Sequence, residues 1–192
     1  MARAKVKQPN KKAKILKSEL IFEGKSFGVR RDELIEPTGV QTMREVVTHP
    51  GSVVVLPLLP DGKIVLVRQY RHAAGQYMWE LVAGRMEKGE SPKQGAAREL
   101  IEETGYRART FTVFLDFFPT PGFLQERMFL LLAEGLTLGA AEPEEDEKLV
   151  VGTYSKKQLE KMIRTGKIPD AKSIAGLLFY FRFLERKQKR RR

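Results

Sequence analysis

Residues 84–106 read GRMEKGESPKQGAARELIEETGY, and the helix inside this stretch organises the rest of the chain. Ser91 is placed as a hydroxyl N-cap, Pro92 takes the first helical position where its missing N–H costs nothing, and Gln94 completes a capping box. The spacing predicts a helix running to Thr104, ended by Gly105 in the left-handed conformation. At 100° per residue, Glu99, Glu102 and Glu103 share one face while Ala97, Leu100, Ile101 and Thr104 take the opposite one. An acidic triplet on a helix is most often a solvated face. Like charges at this spacing repel, however, so such a helix gains most when a cation sits among them. Carboxylate oxygens without a thiolate suit hard ions such as Mg²⁺ or Mn²⁺.

Upstream, residues 52–59 are apolar and β-branched, Pro60, Asp61 and Gly62 form a turn, and residues 64–69 return, predicting a hairpin in a central sheet. Residues 16–50 alternate as short strands around the Pro37 to Gly39 turn. This small antiparallel sheet is too short to bury a core alone, so it is expected to pack on the main domain or on a second copy of the chain, making a homodimer. Downstream, residues 112–118, 127–133 and 150–154 read as strands and residues 119–122 as a turn. Helices are expected over 156–165 and 173–188, the latter with Ile174, Leu177, Leu178, Phe181 and Leu184 at helical spacing. The domain boundaries implied are a basic start over 1–15, the small sheet over 16–50, a main domain over 51–185 and a basic tail over 186–192.

The net charge of +11 resides at the ends: residues 1–17 carry seven Lys or Arg and residues 186–192 carry six, leaving the body close to neutral. Clustered cations attract polyanions, but a solvated pair of ends is the simpler expectation, which argues against nucleic acid as the partner. No apolar run is long enough to cross a membrane as a helix, and no secretory leader is legible at the basic start; a cytoplasmic location is expected. The absence of cysteine excludes thiolate ligands and a cysteine nucleophile. His49 and His72 lack ligand-like spacing and receive no metal or base role.

The 84–106 segment resembles the Nudix box: Gly, five residues, Glu, seven residues, Arg-Glu, an aliphatic residue, any residue, Glu-Glu, any residue, Gly and an aliphatic residue. Gly84, Glu90, Arg98, Glu99, Leu100, Glu102, Glu103 and Gly105 match in register; Tyr106 stands where the pattern has an aliphatic residue. With each Gly, Glu or Arg position met by chance roughly 6% of the time, coincidence is on the order of 10⁻⁹. The resemblance implies an α/β fold, a Nudix α/β/α sandwich with a mixed sheet, plus the small N-terminal antiparallel sheet. It further implies that Glu99 and Glu103 ligate metal with the Ala83 carbonyl, and that Glu102 acts in a second shell or at another metal. Arg98 would orient these carboxylates and Glu90 would pair with it.

The resemblance is most specific for the ADP-ribose pyrophosphatase branch. Pro121 stands sixteen residues after Gly105, within TPGFLQERMFLLLA, and VRQYRHAAGQYMWELVAG and IPDAKSIAGLLF are also similar to that branch. A branch-like acidic loop falls at Glu142 to Glu147, where counting back from Ser155 assigns Glu145 as the base and Glu147 as an additional metal ligand; adjacent acids leave the register open. Arg71 matches an arginine that contacts substrate phosphate, with Arg68 a weaker match; the alternative for each is an arginine paired with a local acid. Glu126 would contact the ribose or a metal-bound water. Some relatives sandwich adenine between tryptophans of the N-terminal sheets, which this chain lacks there; Phe27 is either a replacement stacking partner or a buried strand aromatic, and Trp79 is expected in the core. The implied reaction is Mg²⁺-dependent hydrolysis of ADP-ribose to AMP and ribose 5-phosphate. GDP-mannose or another nucleotide sugar, an RNA-end substrate, or a non-catalytic nucleotide-binding module are the alternatives.

Overall fold

The computed structural model describes residues 11–139 and 149–185, which divide into two compact units, one reaching His49 and including Thr120–Glu126, the other comprising the remainder.

In the first unit, β1 (Lys14–Glu23), β2 (Gly28–Ile35) and β3 (Gln41–Thr48) form an antiparallel sheet in chain order. Gly39, at φ 93°, turns β2 into β3 in a conformation that a side chain would strain. Buried Asp32 accepts hydrogen bonds from Ser18 Oγ at 2.7 Å and Arg30 Nε at 3.0 Å, tying β1 to β2. Residues 120–126 belong to this unit because Val47 pairs with them through its N–H to the Phe123 carbonyl and its carbonyl to the Gln125 N–H.

The second unit begins with β4 (Ser52–Pro57), whose six residues are all buried. Such a run cannot alternate polar and apolar residues because both faces are covered. Val53 and Val55 join Ala96 and Leu100 in one core; Val54 and Leu56 join Leu159 and Leu177 in another. Each fully buried aliphatic side chain contributes roughly 1.5–3 kcal/mol of burial free energy. The two cores make the unit an α/β/α sandwich, with α1 (Pro92–Thr104) on one side and α2 (Lys156–Arg164) and α3 (Ala171–Phe179) on the other.

Between these layers, β7 (Val82–Arg85), β4, β10 (Met128–Glu134) and β9 (Thr110–Phe117) form a four-stranded mixed sheet in which only β4 and β10 run parallel. A second sheet has the order β12 (Val150–Tyr154), β5 (Ile64–Arg71), β6 (Gln76–Glu80), all antiparallel. A short ladder pairs β8 (Tyr106–Arg107) with β11 (Thr137–Leu138). Among the described residues no helix is long and apolar enough to cross a membrane.

Three expectations are corrected. The predicted hairpin over 52–69 is split between sheets: β4 lies in one and β5 in the other, joined by the single bridge from Leu58 to Ile64. Each strand is drawn to the sheet whose neighbours bury it, which turn chemistry alone cannot anticipate. The last helix starts earlier than Ser173, with Asp170 as N-cap, and widens to a π-helical turn over Tyr180–Leu184; Leu178 lies exposed rather than on the apolar face. Finally, Phe27 is neither buried nor in a strand. It sits 47% exposed just before β2, its ring 5.8 Å from that of Phe22.

Candidate active site

The α1 N-terminus forms as its sequence requires. Ser91 caps it, its N–H donating to Gln94 Oε1 at 3.0 Å while Oγ accepts from the Gln94 N–H, and Gly105 ends it at φ 72°. The buried stripe, however, is not the expected one. Gly95 and Ala96, Glu99 and Leu100, Glu103 and Thr104 are buried, so two of the three carboxylates face inward and Ala97 and Ile101 are only half-buried. Glu99 is 9% exposed and Glu103 4%. Helical phase alone located the acids but could not say which side the sheet would cover.

Room for the Glu99 carboxylate comes from Gly84 on β7. A Cβ at Gly84 would overlap that carboxylate directly, so any larger residue would displace it from its present position. Ala83, its neighbour, lies opposite Val54 of β4.

Arg98 gathers the remaining acids. Its Nη1 donates to Glu99 Oε1 at 2.7 Å and to Glu102 Oε2 at 2.9 Å, and its Nε and Nη2 reach the two oxygens of Glu90 at 3.1 and 3.2 Å. Nη2 also donates to the Arg85 carbonyl at 2.9 Å, which anchors the guanidinium to the end of β7. Glu90 is held in turn by the Glu87 N–H at 2.9 Å. Burial opposes the Arg98 charge, but the Glu90 hydrogen bonds and the Glu99 and Glu102 charges outweigh it and raise its pKa above the usual arginine value. Burial likewise pushes Glu90 up, while Arg98 and the Glu87 N–H overcome this and hold its carboxyl below the ordinary range.

The two arginines expected to meet substrate part company on β5. Alternate residues of a strand point to opposite faces. Arg68 lies 4.7 Å from the centroid of the Tyr77 ring, in cation–π geometry. Arg71 makes a bidentate pair with Glu80 of β6, both contacts 2.9 Å. Burial works against the Arg71 charge too, yet Glu80, and more remotely Glu103 and Asp170, raise its pKa. An acid partner is the alternative to a substrate role for Arg71; Glu80 is that partner, and the Arg71 side chain is still 39% exposed, so the two are compatible.

Trp79 packs on the core edge-to-face with Tyr154, ring centroids 5.1 Å apart. Glu126 belongs to the first unit, 9% exposed, with Oε1 3.7 Å from His49 Nδ1. Glu145 and Glu147 lie outside the described residues. Sequence reasoning gave no role to Glu80, Lys172, Asp170 or Ser173. These form a connected set, Glu80 and Ser173 buried and Lys172 and Asp170 half-buried: Lys172 Nζ donates to Glu80 Oε2 and, at 2.9 Å, to Asp170 Oδ1, while Ser173 Oγ donates to Asp170 Oδ2 and accepts from the Leu81 N–H at 2.7 Å. An ionisable residue amid Trp79, Leu81 and Val82 was the available signal, since a carboxylate in an apolar strand needs a partner.

The donor set fits a hard divalent cation. It offers oxygen alone, and Gly84 keeps open the space in which the Glu99 carboxylate sits. Among the described residues no group of three or more His, Cys, Asp or Glu side chains is arranged to hold a metal ion; Glu99 and Glu102 are instead hydrogen-bonded to Arg98.

The NUDIX domain family matches residues 48–176. The chain is 36% identical to the ADP-ribose pyrophosphatase of Bacillus subtilis, covering 86% of this chain and 91% of that protein. It is 38% identical to the ADP-ribose pyrophosphatase of Mycobacterium tuberculosis over 85% of this chain and 80% of that one. The methanol dehydrogenase activator of Bacillus methanolicus is similar at 35% identity, with 86% and 91% covered. The crystal structure of an ADP compounds hydrolase shares the fold, with a TM-score of 0.80 at 23% identity over 92% of this chain and 96% of that one. The chain belongs to the Nudix hydrolases, in their ADP-ribose pyrophosphatase branch. It is an enzyme of that class, acting on nucleoside-diphosphate compounds.

Proposed function

We propose that this enzyme hydrolyses the diphosphate anhydride of ADP-ribose, water and ADP-ribose giving AMP and ribose 5-phosphate, with Mg²⁺ as the metal and Mn²⁺ as a substitute. The observation that carries the reading is the buried carboxylate face of α1, Glu99 and Glu103, backed by Gly84 and ordered by Arg98. Glu99, Glu103 and the Ala83 carbonyl would hold the metal, with Glu102 beside them. When bound, the divalent ion supplies neutralisation of the diphosphate oxygens and lowers the pKa of water.

The chain's own residues do the rest by position and charge. Arg98 fixes Glu99 and Glu102, so their repulsion is settled before substrate arrives. Arg71 presents a planar guanidinium edge suited to a phosphate oxygen. Glu145 is assigned as the group that takes the proton from the attacking water and Glu147 as a further ligand. Glu144→Gln, Glu145→Gln and Glu147→Gln, assayed separately, test that loop; full activity in all three removes it from the chemistry. Glu126 is assigned to the ribose side.

Homodimerisation through the first unit is part of this reading. All ten residues of β1 are exposed, among them Ile15, Leu20 and Phe22, and β1 is an edge strand. A long exposed apolar edge is a surface that another chain covers. Sedimentation at micromolar concentration should give a dimer, and Leu20→Lys/Phe22→Lys a monomer.

A second reading, another nucleotide sugar such as GDP-mannose, is favoured by one observation: the only tryptophan is committed to the core beside Tyr154, leaving none to sandwich adenine. Product analysis with Mg²⁺ against ADP-ribose, GDP-mannose, NADH, diadenosine polyphosphates and capped RNA decides, with Glu103→Gln as the inert control. AMP formed fastest from ADP-ribose is the expected result. Another diphosphate cleaved fastest replaces the substrate, and no cleavage with Mg²⁺ or Mn²⁺ overturns the proposed activity.

A further inference from the structure

Arg71, Glu80, Lys172 and Asp170 come from three elements and the turn before α3, and their charges alternate along one connected line. Arg71 stands at the outer end, 39% exposed; Glu80 is 1% exposed, Lys172 12% and Asp170 15%. The inner end is absorbed by α3. Asp170 caps that helix, accepting from the Ser173 N–H at 2.9 Å and Ser173 Oγ at 2.5 Å, where the helix dipole favours a negative charge. Further along α3, Gly176 packs against Leu130, where a Cβ would stand 2.8 Å from Leu130 Cδ2.

The ordering matters electrostatically. A bidentate Arg–Glu pair alone is neutral and has little attraction for a further anion. Here Lys172 shares Glu80 Oε2 with Arg71 Nη2, so one carboxylate is divided between two cations. The negative charge that would quench Arg71 is drawn inward, and the line acts as a dipole with its positive end at the exposed guanidinium. The same contacts fix the Arg71 rotamer, because Glu80 has its own position set from behind.

We propose that Lys172 is a positioning residue that acts through Glu80 to hold Arg71 oriented and electropositive for a substrate phosphate, a role that rests on Arg71 being the phosphate-binding arginine. Lys172 does not itself meet the substrate. Its effect should therefore appear in binding more than in turnover and should vanish when Arg71 is absent.

The experiment measures the Kd of the full chain for ADP-ribose by calorimetry with divalent metal chelated, and kcat and KM with Mg²⁺. Lys172→Met should weaken Kd and raise KM about tenfold with kcat changed less than about threefold, and Lys172→Arg should restore both to within about threefold. Arg71→Ala should weaken binding at least as much, and Arg71→Ala/Lys172→Met no further than Arg71→Ala alone. An unchanged Kd in Lys172→Met beside a weakened Arg71→Ala overturns the proposal and leaves the Arg71 reading intact, as does additivity in the double variant. An unchanged Kd in Arg71→Ala overturns the underlying reading instead. Should Lys172→Met not fold, Lys172→Gln, which keeps a hydrogen-bond donor toward Glu80 without the charge, takes its place; wild-type affinity in that protein also overturns the proposal.

Discussion

Arg98 and Arg71 are both arginines gripped by two oxygens of a buried or half-buried glutamate, yet their surroundings give them opposite tasks. Around Arg98 stand Glu90, Glu99 and Glu102, so three carboxylates share one cation and the cluster keeps an excess of negative charge. Around Arg71 the signs alternate, and the second cation, Lys172, keeps its partner from neutralising it. In the proposed reading the first cluster's excess of negative charge receives the metal and the second turns its positive end outward to the phosphate. A metal-complexed diphosphate needs both kinds of surface. What an arginine does in such a site is therefore decided by the count of charges behind its partner, not by the partner itself.

The largest effect that would break this contrast is at Arg98. Arg98→Met removes five hydrogen bonds at once and leaves Glu99 and Glu102 repelling without an internal cation. A fall in kcat of about 100-fold is expected, with the Mg²⁺ concentration for half-maximal rate changed as well. Activity within about threefold of wild type would mean that the carboxylates order themselves and that Arg98 is merely structural. Next comes Gly84→Ala. The added methyl must displace the Glu99 carboxylate, and kcat should drop roughly tenfold or more in a protein whose folded core is otherwise intact by circular dichroism. An unaffected rate would show that Glu99 does not need its present position.

How far the sequence reveals these two clusters differs for a physical reason. The Arg98 cluster is local: Glu90, Arg98, Glu99 and Glu102 lie within a single loop and helix, where spacing alone brings side chains together. Its members were all legible. The Arg71 line joins β5, β6 and the start of α3, and the Lys172 to Glu80 contact spans 92 residues. No local period encodes such a meeting. The layer architecture was implied by the Nudix-box resemblance, and the apolar run at residues 52–57 marked a central strand, whereas sheet membership was not legible, because β4 and β5 satisfy turn rules equally well as a hairpin. The buried side of α1 was misjudged for a related cause: glutamates count as solvent-seeking until a wall with a glycine in it makes room for them.

The smallest effect concerns proton linkage at Glu90. Its folded pKa is depressed: burial raises it, but the Arg98 hydrogen bonds and the Glu87 N–H prevail. A carboxylate with a depressed pKa contributes stability that is fully present above its unfolded value, near 4.3, and is lost as pH falls through the folded value. Glu90→Gln should accordingly lower Tm at pH 7 by roughly 2–4 °C, the equivalent of about 1 kcal/mol in a chain of this size. That deficit should shrink as the pH is taken from about 5 down to 3, because the wild type then loses the charge the variant never had. Glu80 is depressed as well: burial raises its pKa, but the Arg71 and Lys172 contacts prevail, so the deficit of Glu80→Gln should likewise shrink as the pH falls through its folded value. A deficit that stays constant across this range in either variant would mean that the lost carboxylate charge does not carry that stability, and the distinction between the two arginine clusters would reduce to their geometry.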